Sequence, residues 1–401
     1  MNTRSRRLSA LGGVLALSLL AVACGSDDSS DDAATEETTA AASETTAAGA
    51  ETTAGGAETT AAADTETTAA AAEGGEVDFA ALSGELNGSG ATFPKVFYDE
   101  SIASLAELAP DLTINYAGGG SGKGRSDLQE MVVDFAGTDG VVKEEDIAKF
   151  TGGEFVYVPT VIAPITLSYN LSDVPELRLT PDTIAKIFQR EITSWDDPAI
   201  AADNEGVTLP ETPIVVARRA DGSGTTENFS KFLEAASGPD ASGVWTLGAA
   251  SELEWPADTQ AGDGNSGVAQ IIKDTSGAIG YVDLSDAVEN DLQVASVQNK
   301  AGNFVAPTLE ATTAAAENAT INDDLTFFLG WADGDEAYPI AAQTWIIAYT
   351  KQDDPAKAEA IRGMLTYMLT DGQELATELN YAPLPEELRT AALQNVAAIG
   401  G

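Results

Sequence analysis

Three stretches of this chain combine glycine with hydroxyl side chains at the point where a strand-like run gives way to a helix-like one. The first is Gly88-Ser89-Gly90-Ala91-Thr92-Phe93-Pro94 and the second is Gly118-Gly119-Gly120-Ser121-Gly122-Lys123-Gly124. The third is Arg218-Arg219-Ala220-Asp221-Gly222-Ser223-Gly224-Thr225-Thr226. Glycine lets the backbone bend and approach a ligand, while free N–H groups at a helix start and Ser/Thr hydroxyls present protons to it. One such turn is commonly a plain loop. Three, each opening a helix, point to an oxyanion held between converging helix N-termini. Pro94 suits a first helical turn, and Thr92 suits either a cap or a ligand. A nucleotide P-loop does not fit. It needs Gly, four residues, then Gly-Lys-Ser/Thr, whereas here Ala117 occupies the first position and Gly124 follows Lys123.

Asp139, after Phe135-Ala136-Gly137-Thr138, sharpens the choice of anion. A carboxylate repels an anion unless the anion carries a proton that the carboxylate can accept. Mono- and dibasic phosphate carry one. Sulfate carries none at neutral pH and would meet repulsion and an unmade hydrogen bond. Arg219 would supply a bidentate cation, and Asp221 could fix that guanidinium by pairing with it. The plainer readings are a surface-turn Asp139 and a solvated Arg219, with Arg218 the more exposed of the two arginines.

The elements that must position these residues alternate. Strand-like runs fall at 112–116, 131–135, 155–169, 213–217, 278–282 and 340–349, and helical patterns at 96–108, 181–189, 225–233, 267–273, 355–369 and 372–379. Such alternation indicates α/β architecture with mostly parallel sheets, in which ligands sit where strands end and helices begin. The long 155–170 run contains Pro159 and Pro164. It reads equally as a segment crossing between two lobes and as one buried strand with an edge proline.

Composition removes whole classes of function. With no His and one Cys in 401 residues, Ser-His and Cys-His catalysis, His-ligated metals, internal disulfides and cysteine-ligated clusters drop out. A net charge of −44 argues against nucleic acid and against electrostatic docking on an anionic membrane. The first 76 residues stand apart from the fold. Arg4, Arg6 and Arg7 precede an apolar run from Leu8 to Val22, which reads as a secretory signal peptide over 1–23. Ala21-Val22-Ala23-Cys24 resembles a bacterial lipobox, with Leu20 one position earlier than the usual Leu. Cys24 would then carry acyl chains that hold the chain on a membrane; the plainer reading is a chance Cys in a signal peptide cleaved nearby. Residues 24–76 are rich in Thr, Ala and Glu, cannot bury a core, and read as a disordered tether with a reach of about 40 Å. The remaining 77–401 carries 17 Lys+Arg against 51 Asp+Glu, so an anion there must be held by local dipoles and one or two cations.

At these residues the chain resembles the phosphate-binding subunits of bacterial phosphate ABC importers. The matching stretches are GSGATFP (88–94), NYAGGGSGKG (115–124), VDFAGTD (133–139), VVARRADGSGTT (215–226), GAIGYV (277–282) and NYAPLP (380–385), with lesser matches at 168–173, 192–200 and 262–268. They run through essentially the whole 77–401 part. The resemblance implies a two-lobed type II periplasmic-binding-protein fold, each lobe a mainly parallel sheet flanked by helices. Lobe one would be 77–160 plus 336–401, and lobe two 161–335. The family's phosphate ligands fall on Thr92, Phe93 (backbone N–H), Ser121, Asp139, Arg219, Ser223, Gly224 (backbone N–H) and Thr225, with Asp221 pairing the arginine. Lys123 departs from the small residues usual there, and Thr138 from the common Ser. The implied protein is no enzyme and needs no metal or cofactor. It would be a lipid-anchored, extracytoplasmic monomer that passes inorganic phosphate to transmembrane permease subunits.

Three other readings compete. A binder of sulfate or molybdate is opposed by Asp139. A secreted phosphatase lacks a metal cluster and an activated nucleophile. A receptor that reports phosphate to a sensor has the same sequence features as one that feeds transport.

Overall fold

The computed structural model describes residues 77–400 except residue 318. The export segment, Cys24 and the tether lie outside the described residues. In chain order the strands are β1 (Ser83–Gly90), β2 (Asp111–Ala117), β3 (Phe135–Thr138) and the long β4 (Phe155–Tyr169). Next come β5 (Arg178–Leu179), β6 (Val215–Arg219), β7 (Gln260–Gly262) and β8 (Ala278–Asp283). The last are β9 (Gln293–Val294), β10 (Ser296–Gln298), β11 (Phe304–Val305) and β12 (Ala341–Tyr349).

The main sheet runs β2-β1-β3-β12-β4-β8-β6-β7, with β9 also pairing on β4, and a small sheet runs β11-β10-β5. β1 is parallel to β2 and β3, and β6 is parallel to β7 and β8. Between these parallel sets stand β12 and β4, antiparallel to each other and to their outer neighbours β3 and β8. β12 is buried along its whole length and β4 from Tyr157 onward. Helices Leu309–Ala316, Pro355–Leu369 and Glu386–Ala397 pack against β4. Strands covered on both faces read as continuous apolar runs, which is why this pair is the plainest part of the sequence.

Both readings of the 155–169 run meet in β4. Residues 155–164 pair with β12 and residues 165–169 with β8, so one buried strand passes from one parallel set to the other. Pro164 ends the pairing with β12. Pro159 lies beside a register shift between Gln343 and Trp345, where a strand tolerates a missing N–H.

The expected strand at 131–135 is a correction. Only Phe135 belongs to a strand, and Met131 and Val132 are 62% and 64% exposed. Helix Ser121–Gln129 ends there. Met131 takes a left-handed φ of 55°, and the Val132 N–H donates back to the Asp127 carbonyl at 2.8 Å. A C-terminal helix cap outweighs apolar composition. Helix 267–273 starts earlier, as Gly264–Asp274, and 225–233 extends to Gly224–Ser237.

Candidate functional site

Each glycine-hydroxyl turn leaves the C-terminal end of a parallel strand. The first leads from β1 to helix Lys95–Leu108, the second from β2 into helix Ser121–Gln129, and the third from β6 into helix Gly224–Ser237. Asp139 follows β3 directly. Strand ends of one α/β sheet are where ligand crevices form.

The turns meet. The Gly122 N–H donates to the Gly222 carbonyl at 2.8 Å, and the Asn265 N–H donates to Thr92 Oγ1 at 3.2 Å. Gly120 has a φ of 87°, and a Cβ there would run into the Asp221 carboxylate and the Gly222 carbonyl. A Cβ on Gly224 would strike the Ser121 hydroxyl and the Asp139 carboxylate. Glycine is favoured at both positions, at Gly120 by its left-handed φ and the Gly222 carbonyl, and at Gly224 by the neighbouring Ser121 and Asp139 side chains. The first two turns and Asp139 therefore face the third turn and the start of helix Gly264–Asp274.

Hydroxyl polarity is the most informative feature. Ser121 Oγ accepts from the Asp139 N–H at 3.1 Å, and Ser223 Oγ caps its helix by accepting from the Thr226 N–H at 3.1 Å. Thr92 Oγ1 accepts from Asn265. Thr225 Oγ1 accepts from Arg219 Nη1 and Asn265 Nδ2, both at 3.3 Å. All four oxygens are thus engaged as acceptors. Of their protons, only that of Ser121 is directed at a protein group, Asp139 Oδ2, through a long 3.3 Å contact. Gly224 opens its helix, where the first N–H groups have no intrahelical acceptor, and Phe93 stands two residues before the helix that starts at Lys95. The hydroxyl protons and helix-start N–H groups are available as donors, and the buried Asp139 carboxylate stands beside them as an acceptor.

Two carboxylates flank these donors. Asp139 is 1% exposed and not a surface-turn residue. Burial pushes its carboxyl up to about 7 against the opposing pull of Thr344, Arg219, Ser121 and Arg125. Asp221 accepts from Arg219 Nε at 2.8 Å and also from Nη2. Burial alone would raise Asp221, but the guanidinium's bonds and charge hold it below the usual carboxylate range. Arg219 is buried, its N–H accepted by the Tyr281 hydroxyl at 3.2 Å, whereas Arg218 is partly exposed. Lys123 turns away to pair with Asp127 at 2.5 Å, its side chain 52% exposed.

Every sequence-predicted site residue in the described part lies on these turns or beside them. Thr344 was missed. Its hydroxyl donates to Asp139 Oδ1 at 2.7 Å, from a strand that reads only as core. Arg125, which donates to Thr138 Oγ1 at 3.0 Å and to the Gly140 carbonyl at 3.3 Å, was also missed. Asn265 lay within the 262–268 match and could have been found there.

The chain is similar to known proteins along most of its length. A PBP superfamily domain model matches residues 29–372. The phosphate-binding protein PstS of Pasteurella multocida is 34% identical over 309 residues, covering 76% of this chain and 87% of that protein. PstS of Methanocaldococcus jannaschii is 36% identical over 337 residues, covering 78% and 85%. Among solved structures, a phosphate-binding protein from Stenotrophomonas maltophilia superposes with a TM-score of 0.63 at 22% identity, covering 78% of this chain and 94% of that one.

Proposed function

This chain belongs to the PstS phosphate-binding proteins of the PBP superfamily and has their two-lobed periplasmic-binding-protein fold, and from that premise we propose that it captures inorganic phosphate between its lobes and delivers it to an ABC-type permease. Lobe one is 77–160 plus 336–401, and lobe two is 161–335. The phosphate oxygens accept hydrogen bonds from the hydroxyls of Thr92, Ser121, Ser223 and Thr225, from the N–H groups of Phe93 and Gly224, and from Arg219 held by Asp221. Asp139 accepts the one proton that phosphate keeps. Closure of the lobes excludes water, and the hydrogen bonds strengthen in the low local dielectric.

The observation that carries this reading is a group of four hydroxyls on facing turns, each oxygen already accepting from an N–H group and so left with its proton to donate, beside one buried carboxylate. Such a site is complementary to an oxyanion that carries a proton. No covalent step is implied, so the protein acts as a receptor and not as a catalyst. Among the described residues no helix is long and apolar enough to cross a membrane. Acylation at Cys24 would tether a monomer to the extracytoplasmic face through residues 24–76.

The test is a calorimetric titration of the protein stripped of bound anion, with phosphate as ligand and sulfate as competitor, for wild type and Asp139→Asn. Phosphate uptake without sulfate competition, and sulfate competition gained by the Asn variant, are expected. Absence of phosphate binding by the wild type would overturn the reading.

A further inference from the structure

We propose that Thr344, backed by the hydroxyls of Tyr98 and Thr160, is a positioning residue that keeps Asp139 a proton acceptor and so sets the pH range over which phosphate is chosen over sulfate. The inference rests on the phosphate reading above and assigns a role to residues outside the ligand set.

The geometry begins with an irregular strand. Successive residues of a strand face opposite sides, yet two neighbours on β12 both reach Asp139. Gln343 Nε2 donates to its carbonyl at 3.3 Å, and Thr344 Oγ1 donates to its Oδ1 at 2.7 Å. The register shift between Gln343 and Trp345, beside Pro159 of β4, lets both point there. Such irregularities commonly re-aim side chains next to functional sites.

The Thr344 hydroxyl has one proton and two acceptors within reach, Asp139 Oδ1 at 2.7 Å and the Thr138 carbonyl at 3.4 Å. The shorter, charge-assisted bond takes it. Behind it the Tyr98 hydroxyl lies beside the Thr344 side chain and 3.0 Å from Thr160 Oγ1, where either oxygen can donate. Tyr98, Thr160 and Thr344 are fully buried. The proposed row has Thr160 donating to Tyr98, the Tyr98 proton facing Thr344, and Thr344 donating to Asp139 Oδ1. Each bond polarises the next. With Oδ1 occupied, Oδ2 is the oxygen left beside Ser121 and Gly224, on the anion side.

The charged and titratable groups around Asp139 do not replace this row. Arg219 is paired with Asp221, and Arg125 lies 3.7 Å from Glu227, which also binds Lys231. Tyr98 and Tyr116 are buried phenols whose ionisation is pushed up, so they stay neutral. Burial favours a protonated Asp139, and the Thr344 bond is the strongest local influence against it. A protonated Asp139 offers a donor where phosphate needs an acceptor. A fully ionised oxyanion such as sulfate then fits.

The test measures phosphate affinity and sulfate competition from about pH 5.5 to about pH 8.5 for wild type, Thr344→Val, Thr344→Ser and Tyr98→Phe. In Thr344→Val the acid limb of phosphate affinity should move up by about one pH unit or more, the size of one lost bond to a charged group. Sulfate should begin to compete at a correspondingly higher pH. Thr344→Ser should restore the wild-type limb, and Tyr98→Phe should give a smaller shift of the same sign. A Val variant with the wild-type limb and wild-type sulfate exclusion overturns the proposal. If Thr344→Val does not fold, an unshifted limb in Tyr98→Phe overturns it. A wild type that takes no phosphate at any pH fails the phosphate reading itself, whereas a phosphate-binding wild type with unmoved variants fails this inference alone.

Discussion

Asp221 and Asp139 stand on opposite walls of one site, and their surroundings differ in kind. Asp221 grips a guanidinium through two bonds and is held ionised below the usual carboxylate range, although burial opposes this. Asp139 is met by the hydroxyls of Thr344 and Ser121 and is more deeply buried, and its carboxyl is pushed up to about 7. One is a fixed counter-ion that aims a cation. The other sits near its own protonation point, where inorganic phosphate also exchanges its second proton. On the proposed reading, the same residue type serves as a clamp in one place and as a proton reader in the other, and the neighbours decide which.

The largest effect should come from breaking the clamp. Arg219→Met removes the buried cation and leaves the partly buried Asp221 carboxylate without its partner. Phosphate affinity should fall at least about a hundredfold, and a titration showing a change under tenfold would contradict the role given to Arg219.

Next is the reader. The carboxyl of Asp139 ionises at about 7 in the folded state, against the reference value of 3.8. Between those two values the unfolded chain binds fewer protons than the folded one, so this group makes stability fall as pH rises through that window. Its full contribution is on the order of a few kcal/mol. The anion-free Asp139→Asn variant should lack this part of the slope. Thermal melts compared from acid to neutral pH should show the wild type losing more than the variant, and parallel curves would refute the raised ionisation.

Gly224→Ala tests the approach of the two walls rather than either carboxylate. Its Cβ would press on Ser121 and Asp139. The closed arrangement must absorb an overpacking cost of about 1–3 kcal/mol, so phosphate affinity read by titration should drop about ten- to a hundredfold. The smallest change is expected from Asp221→Asn in the pH profile. A group ionised throughout the neutral range contributes no proton step there, so sulfate exclusion should keep its wild-type pH dependence. A displaced profile would mean that the two carboxylates are not independent.

Much of this site was legible in the chain. The turns at 88–94, 118–124 and 218–226 carry glycine and hydroxyl residues in close succession, and their backbones have few alternatives. Asp139 and Arg219 could be singled out because a carboxylate and a buried cation beside such turns need a reason. The long apolar runs that became β4 and β12 were equally plain. The run at 131–135 misled because Met131 and Val132 lie at a helix cap and face solvent, leaving only Phe135 to the strand. Helices Leu309–Ala316 and Glu386–Ala397 went unread, since Ala-rich and mixed patterns give a weak amphipathic signal.

By itself the sequence determined the α/β alternation, the acidic balance, the three donor turns and the chemical kind of anion they suit, because these depend on residue type and on neighbours along the chain. The tertiary structure decided which oxygen of Asp139 lies beside Ser121 and Gly224, that Thr344 rather than a nearer hydroxyl holds the other, and that Arg219 is clamped while Lys123 is turned away. Those outcomes depend on β4, β12 and three helix starts being brought together from as far apart as Thr92 and Thr344. No local pattern encodes a register shift across such a distance, and the ionisation of a buried carboxyl follows from the groups packed around it.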